Sequence, residues 1–255
     1  MVVAVPKIQR QPKSIMKKIL SLSLMFLAGT LWAVDSSPKE DVIKAAAALA
    51  SETNYTWQTT VEVPADSPFK PGPTDGKTEK GGYTTLSFNF GDNTTAAVLK
   101  GTNGAIQTDD GWKTLADAMK DNGDGGFNPT RFLARVVQNY QFPAVDAAHL
   151  ADLAQTLKKD TNSISGNLTE AGVKELLSFR RRGNGGDDSP AASNAKGSVK
   201  FWLQNGRLVK YQFHVQGTVS FNGNDRDVDR TTTVEIRDVN TTKIDVAAAA
   251  KKLLP

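Results

Sequence analysis

The feature that most constrains this chain is the run 208–221, which follows Asn205-Gly206. Val209, Tyr211, Phe213, Val215, Val219 and Phe221 fall on one face at period two. Lys210, Gln212, His214, Gln216, Thr218 and Ser220 fall on the other. That alternation is the pattern of a strand with one buried face. About 13 residues of it span roughly 43 Å at ~3.3 Å per residue. A strand so long, apolar on one side, requires a large antiparallel sheet whose other face is wet. Asn-Gly is the preferred dipeptide of a two-residue hairpin turn, so the apolar run 199–203 is expected to pair with it. Gly217 interrupts the apolar face and is expected to mark a bend.

The rest of the chain supplies partners. Ser37, Pro38, Glu40 and Asp41 form a helix start: a capping hydroxyl, a proline suited to the first turn, and acids at the positive helix end. That helix is expected to reach about Ser51. In 55–63, Tyr55, Trp57, Thr59, Val61 and Val63 share a face. In 82–90, Leu86, Phe88 and Phe90 do so. Shorter strands are expected at 96–100, 105–108 and 163–168, and two more at 230–238 and 242–246. The stretch 64–80, with its prolines and glycines, reads as a loop, and so does 183–197. Helices are expected over 112–120, from Asn128-Pro129 to about Tyr140, over 145–158, and from Thr169 to about Phe179. The order helix, strands, helices, strands excludes a parallel βαβ sheet. It indicates an α+β fold, one antiparallel sheet with helices packed against one face.

The N-terminus reads as an export signal. Met16-Lys17-Lys18 is a basic start, 19–31 is apolar, and Trp32-Ala33 gives way to polar residues. An apolar core of about 13 residues suits a signal peptide and is too short to span a bilayer. The expected organisation is therefore a leader at 1–33, cleaved near Ala33, and one domain at 34–255 in the periplasm or outside the cell. A retained anchor is the alternative, and Met16 is a second candidate start. The formal charge of +4 comes from the leader, which holds Lys7, Arg10, Lys13, Lys17 and Lys18 and no acid. Without it, 26 Lys and Arg face 27 Asp and Glu. A nucleic-acid binder needs a basic face on its folded domain, so no nucleic-acid partner is expected. The absence of cysteine excludes a disulfide framework, a thiolate metal site and a lipidated N-terminal cysteine.

The chemistry of catalysis is sparse. The two histidines, His149 and His214, lie far apart in sequence and read as surface residues. There is no Gly-x-Ser-x-Gly, phosphate loop or dinucleotide fingerprint. Asp225, Asp227 and Asp229 have the alternate spacing of a calcium loop. Arg230, however, stands where that loop needs Gly, and Ile236 where it needs a bidentate Glu. A charged, solvated strand end is expected there, a plain turn at 121–126, and helix-end charge at Arg180-Arg181-Arg182. The chain is read as no enzyme, with no cofactor and no metal. What it offers is apolar surface. Trp57, Phe88, Phe90, Phe132, Val136, Tyr211, Phe213, Val215 and Phe221 sit on the sheet or on helices able to cover it. They form either an ordinary core or the lining of a cavity that holds a lipid chain.

Several segments also resemble the LolA-like superfamily, which includes outer-membrane lipoprotein carriers and the mycobacterial LppX/LprG lipid-binding proteins. They are the helix after the leader, Asn54-Tyr55-Thr56-Trp57, the central helices, Gly166-Asn167-Leu168-Thr169-Glu170-Ala171 ahead of Leu176-Leu177, and the closing run 197–211. The resemblance covers about residues 38–246. It implies an unclosed half-barrel, a large curved antiparallel sheet with helices on its concave face, and acyl chains carried inside. The implied partners are lipid or lipoprotein acyl chains, with an envelope protein as a further partner, for a monomeric carrier. It also implies a buried arginine that latches the helical lid, which no motif marks here. The alternative is an envelope scaffold with a filled core that binds another protein. A hydrolase, a third class, needs acids brought together in a cleft.

Overall fold

The computed structural model describes residues 36–67, 70–91, 93–120, 128–177, 191–221 and 224–254, except the side chains of Phe90, Ala191 and Phe221. The leader, the turn at 121–126 and Arg180-Arg181-Arg182 lie outside this range.

In chain order the elements are α1 (Pro38–Ser51), β1 (Asn54–Glu62), β2 (Thr74–Glu79), β3 (Tyr83–Phe90), β4 (Asn93–Lys100), β5 (Asn103–Thr108), β6 (Gly111–Thr114), α2 (Leu115–Lys120), α3 (Pro129–Gln138) and α4 (Pro143–Leu153). They continue with β7 (Ala154–Lys159), β8 (Ile164–Leu168), α5 (Glu170–Leu177), β9 (Ala191–Gln204), β10 (Arg207–Phe221), β11 (Asn224–Arg237) and α6 (Ala248–Leu253).

All the strands join one antiparallel sheet in the order β6-β5-β4-β3-β2-β1-β11-β10-β9-β8-β7. It is an up-and-down meander whose first and last strands meet in the middle. Its two free edges, β6 and β7, are consecutive in sequence. The chain that links them carries α2, α3 and α4 and must cross the whole sheet. That crossing puts a helical layer over one face and leaves the half-barrel unclosed.

Local chemistry sets the pieces. Ser37 and Glu40 make a reciprocal capping box at α1, with Pro38 in the first turn. Asn128 caps α3, its side chain accepting from the Arg131 N–H at 2.9 Å. Asn205 and Gly206 both adopt positive φ, 52° and 75°, as the tight hairpin between β9 and β10 demands. The pairing register of this hairpin shifts twice. One lies between Leu208 and Lys210, the other between Gln216 and Thr218. The second falls at Gly217, where a bend was expected, and the facing strand carries Asn194 at φ 54° there. The first shifts the alternation, so that Leu208 is buried in the core and Val209, read as part of the apolar face, is half-exposed.

Two cores result. The large one lies between the sheet and α1–α5, and includes Val42, Trp57, Leu86, Phe88, Leu150, Phe201, Tyr211, Phe213 and Val215. A smaller one lies on the opposite face. Val98 and Ala105, paired across β4 and β5, meet Val246, Ala250 and Leu254 there. Their chain neighbours Ala97, Leu99 and Ile106 belong to the large core, as period-two alternation requires. α6 therefore packs on the convex side, in addition to the helices on the concave side.

Several sequence expectations are corrected. The loop 64–80 contains strand β2, in which Gly76 makes room for the Trp57 ring. The helix expected over 145–158 runs over Pro143–Leu153. The chain then straightens, because Ala154–Lys159 pairs with β8 as the sheet edge. The helix expected over 112–120 begins at Leu115, since Gly111–Thr114 pairs with β5. Residues 191–197 extend β9, and Asn224 onward extends β11. The strand expected at 242–246 is absent. Val246 instead anchors the smaller core ahead of α6.

Candidate functional site

Trp57 lies on central strand β1 and is 2% exposed. Its indole N–H donates to the Tyr140 hydroxyl at 2.7 Å. Tyr140 and Phe142 belong to the short connection between α3 and α4. Phe142 is held extended (φ −69°, ψ 145°) by the proline that follows it. Five rings interlock there. Trp57 lies 5.6 Å from Tyr55, 6.2 Å from Tyr140 and 6.4 Å from Phe142. Phe88 lies 6.5 Å from Tyr140, and Tyr140 6.1 Å from Phe142. Edge-on and tilted pairs at these separations add to the burial term. The sheet thus offers aromatic rings, and the crossing connection fills the space between them.

A second tie lies further along the layer. Tyr211 of β10 is 1% exposed, beside Phe201. Its hydroxyl donates to Asp146 Oδ2 at 2.8 Å, in the first turn of α4. Burial pushes the Asp146 carboxyl up to about 6, against the opposing pull of the Tyr211 hydroxyl and the nearby His149. Burial also raises Tyr55 and Tyr140 to about 12 and Tyr211 well above its ordinary value. These phenols stay protonated at neutral pH and act as hydrogen-bonding groups. The Ala144 backbone hydrogen-bonds Tyr55.

Helix α5 is tied on both sides. His149 of α4 meets Glu175 at 2.9 Å. Arg230 of β11 donates through Nη2 to the Leu176 carbonyl at 2.8 Å, its pKa lowered by desolvation. Gly217 gives α5 its seat, since a Cβ there would lie 2.8 Å from Leu177 Cδ1.

Among the residues read from sequence, Trp57, Phe88, Tyr211, Phe213 and Val215 are buried together in the large core, and Val136 packs partly buried against it. Phe132 stands 45% exposed on α3, where Leu133, Ala134 and Val137 supply the buried side. Phe90 and Phe221 lie on β3 and β10, with side chains outside the described set. Sequence reading missed Tyr140, Phe142 and Asp146 as members of the site. Asp146 had a signal: it precedes Leu150 by four residues and so sits on the stripe that faces the core.

Along β10 and β11 the convex face is polar. Lys210 pairs with Glu235, Thr218 donates to Asp227 and Ser220 to Asp225, and His214 meets Asp229 at 2.8 Å. The alternate aspartates thus lie along a strand, engaged across it, as a solvated strand end. Among the described residues no group of three or more His, Asp or Glu is placed to hold a metal. None of their helices is long and apolar enough to cross a membrane.

No protein-family model and no curated protein matches the chain. Among solved structures it is similar to the lipoprotein LppX of Mycobacterium tuberculosis, with 12% identity and a TM-score of 0.42 over 82% of this chain and 98% of that one. LprF from Mycobacterium bovis has 10% identity and a TM-score of 0.42, over 84% and 100%. A LolA superfamily protein from Nitrosomonas europaea has 8% identity and a TM-score of 0.32, over 82% and 96%.

Proposed function

We propose that the chain is a carrier or binding protein for lipid acyl chains, free or attached to lipoproteins, in the cell envelope. It would reach that compartment after removal of residues 1–33. One observation carries this reading: the aromatic surface of the central strands is covered by Tyr140 and Phe142, side chains of a connection that crosses the sheet. A cover made by one connection can lift as a unit. It is pinned by Trp57–Tyr140 and Tyr211–Asp146, with Arg230 holding α5 beside it as a latching arginine would. With the cover raised, Trp57, Phe88, Tyr211, Phe213 and Val215 line a trough on the strands, with Val136 on the lid. Each methylene buried there contributes about 0.8 kcal/mol. The role is binding rather than catalysis, in a monomer without cofactor.

The interlocked rings also support a second reading, an envelope scaffold with a filled core. Its free edge strands β6 and β7 would offer pairing groups to a partner protein. Titration with a fluorescent fatty acid separates the two. Saturable binding of about one probe per chain, with energy transfer from Trp57 that Trp57→Phe removes, is expected of a carrier. Absence of saturable binding at micromolar probe leaves the scaffold.

A further inference from the structure

Helix α3 has an outer face that the packing of the chain does not use. Leu133, Ala134 and Val137 turn into the large core. At helical spacing this leaves Phe132, Arg135 and Asn139 on the opposite side, with half-buried Arg131 at its border. Residues three and four apart on a helix are surface neighbours, so Arg135 adjoins both Phe132 and Arg131. Phe132 and Val145 are the large apolar side chains left exposed among the described residues. They lie on α3 and in the first turn of α4, on either side of the connection that carries Tyr140 and Phe142.

The charge of this face has one sign. Residues 128–142 hold Arg131 and Arg135 and no acid. Among the described residues neither guanidinium has an ion-pair or hydrogen-bond partner, and Nε of Arg131 is buried without one. Arg207, Arg230 and Arg237, by contrast, reach Glu52, the Leu176 carbonyl and Glu235. The acids of the flanking helices are engaged elsewhere. On α2, Asp117 meets Thr114 and Lys120. On α4, Asp146 accepts from Tyr211, and Asp152 meets Lys39. An exposed ring beside two unpaired guanidinium groups matches the boundary of an anionic bilayer. There a ring enters the acyl edge, and planar forks take phosphate oxygens. A protein partner needs about 800 Å² of matched surface on each side. Helix α3 is about 15 Å long at 1.5 Å per residue, and its outer face is far smaller than that.

We propose that the outer face of α3 docks the protein on anionic phospholipid bilayers, with Phe132 as the inserted wedge and Arg131 and Arg135 as phosphate ligands. Its purpose rests on the carrier reading, since α3 belongs to the cover that lifts for an acyl chain to pass. Docking itself needs no cargo.

Flotation with vesicles of equimolar phosphatidylcholine and phosphatidylglycerol, compared with phosphatidylcholine alone, tests this. The chain used begins at Val34, so that the apolar run 19–31 does not itself bind lipid. Both cores are built within residues 42–254 and are retained whole. The expected result is saturable binding to the mixed vesicles, weakened by added salt, and none to phosphatidylcholine alone. Arg131→Gln and Arg135→Gln should each weaken binding about fivefold, and Phe132→Ser about tenfold. Lys251→Gln together with Lys252→Gln removes two exposed cations from α6, on the convex face, and should leave binding as it is. Absence of binding to the mixed vesicles would overturn the proposal, as would equal binding to both kinds. So would wild-type affinity in both Arg135→Gln and Phe132→Ser, or an equal loss in the α6 variant. A chain that floats but takes up no fatty-acid probe keeps the docking face and loses the carrier reading. Uptake of the probe without flotation does the reverse.

Discussion

Gly76 lies directly opposite Trp57 on the neighbouring strand, and the indole occupies the space that a side chain at 76 would need. A Cβ there would stand 2.1 Å from the ring carbons Cε2 and Cζ2. The glycine in an otherwise polar strand is thus what lets the tryptophan lie against the sheet and direct its N–H at Tyr140.

Gly76→Ala should force the indole away and cost about 1–3 kcal/mol, the usual range for overpacking. Denaturant unfolding measures the loss. A weakened near-ultraviolet tryptophan signal would show that the ring has moved.

Trp57→Phe and Tyr140→Phe each remove one end of the 2.7 Å hydrogen bond. Each should destabilise by about 1–2 kcal/mol. The double variant should cost less than the sum, with a coupling of at least ~0.5 kcal/mol in a double-mutant cycle.

Arg230→Met should remove the donor to the Leu176 carbonyl while keeping much of the stem's packing. The expected cost is about 1–3 kcal/mol, with faster amide exchange concentrated in Glu170–Leu177. A uniform rise across the sheet would show that the arginine acts elsewhere.

Leu254→Ala should hollow the convex core and cost about 2–5 kcal/mol. Because that core lies on the far face from Trp57, the environment of the concave rings should stay unchanged in the folded variant. Because Trp112 packs against that core, tryptophan near-ultraviolet dichroism in a Trp112→Phe background, below the melting transition, checks this.

The long one-sided strand, its Asn-Gly turn, the irregularity at Gly217 and the capped starts of α1 and α3 were legible in the sequence, because each is fixed by local chemistry. Strand β2 was not, since Thr74–Glu79 is short and polar and is defined by its neighbours on either side. The end of α4 was obscured for a similar reason. Leu157 continues the helical stripe, but the edge of the sheet takes that segment as β7. Of the site, the sheet half was readable from alternation, which marked Trp57, Phe88 and Tyr211. The covering half was not. Tyr140, Phe142 and Asp146 acquire their roles only when the crossing connection is laid over strands far away in sequence.

The most direct test of the central claim is native mass spectrometry of the chain purified without detergent from the cells that make it. An adduct of lipid mass that gentle activation removes, and that organic extraction identifies as acyl-bearing, is the expected result. A bare polypeptide mass, unchanged after incubation with phospholipid vesicles, would contradict it.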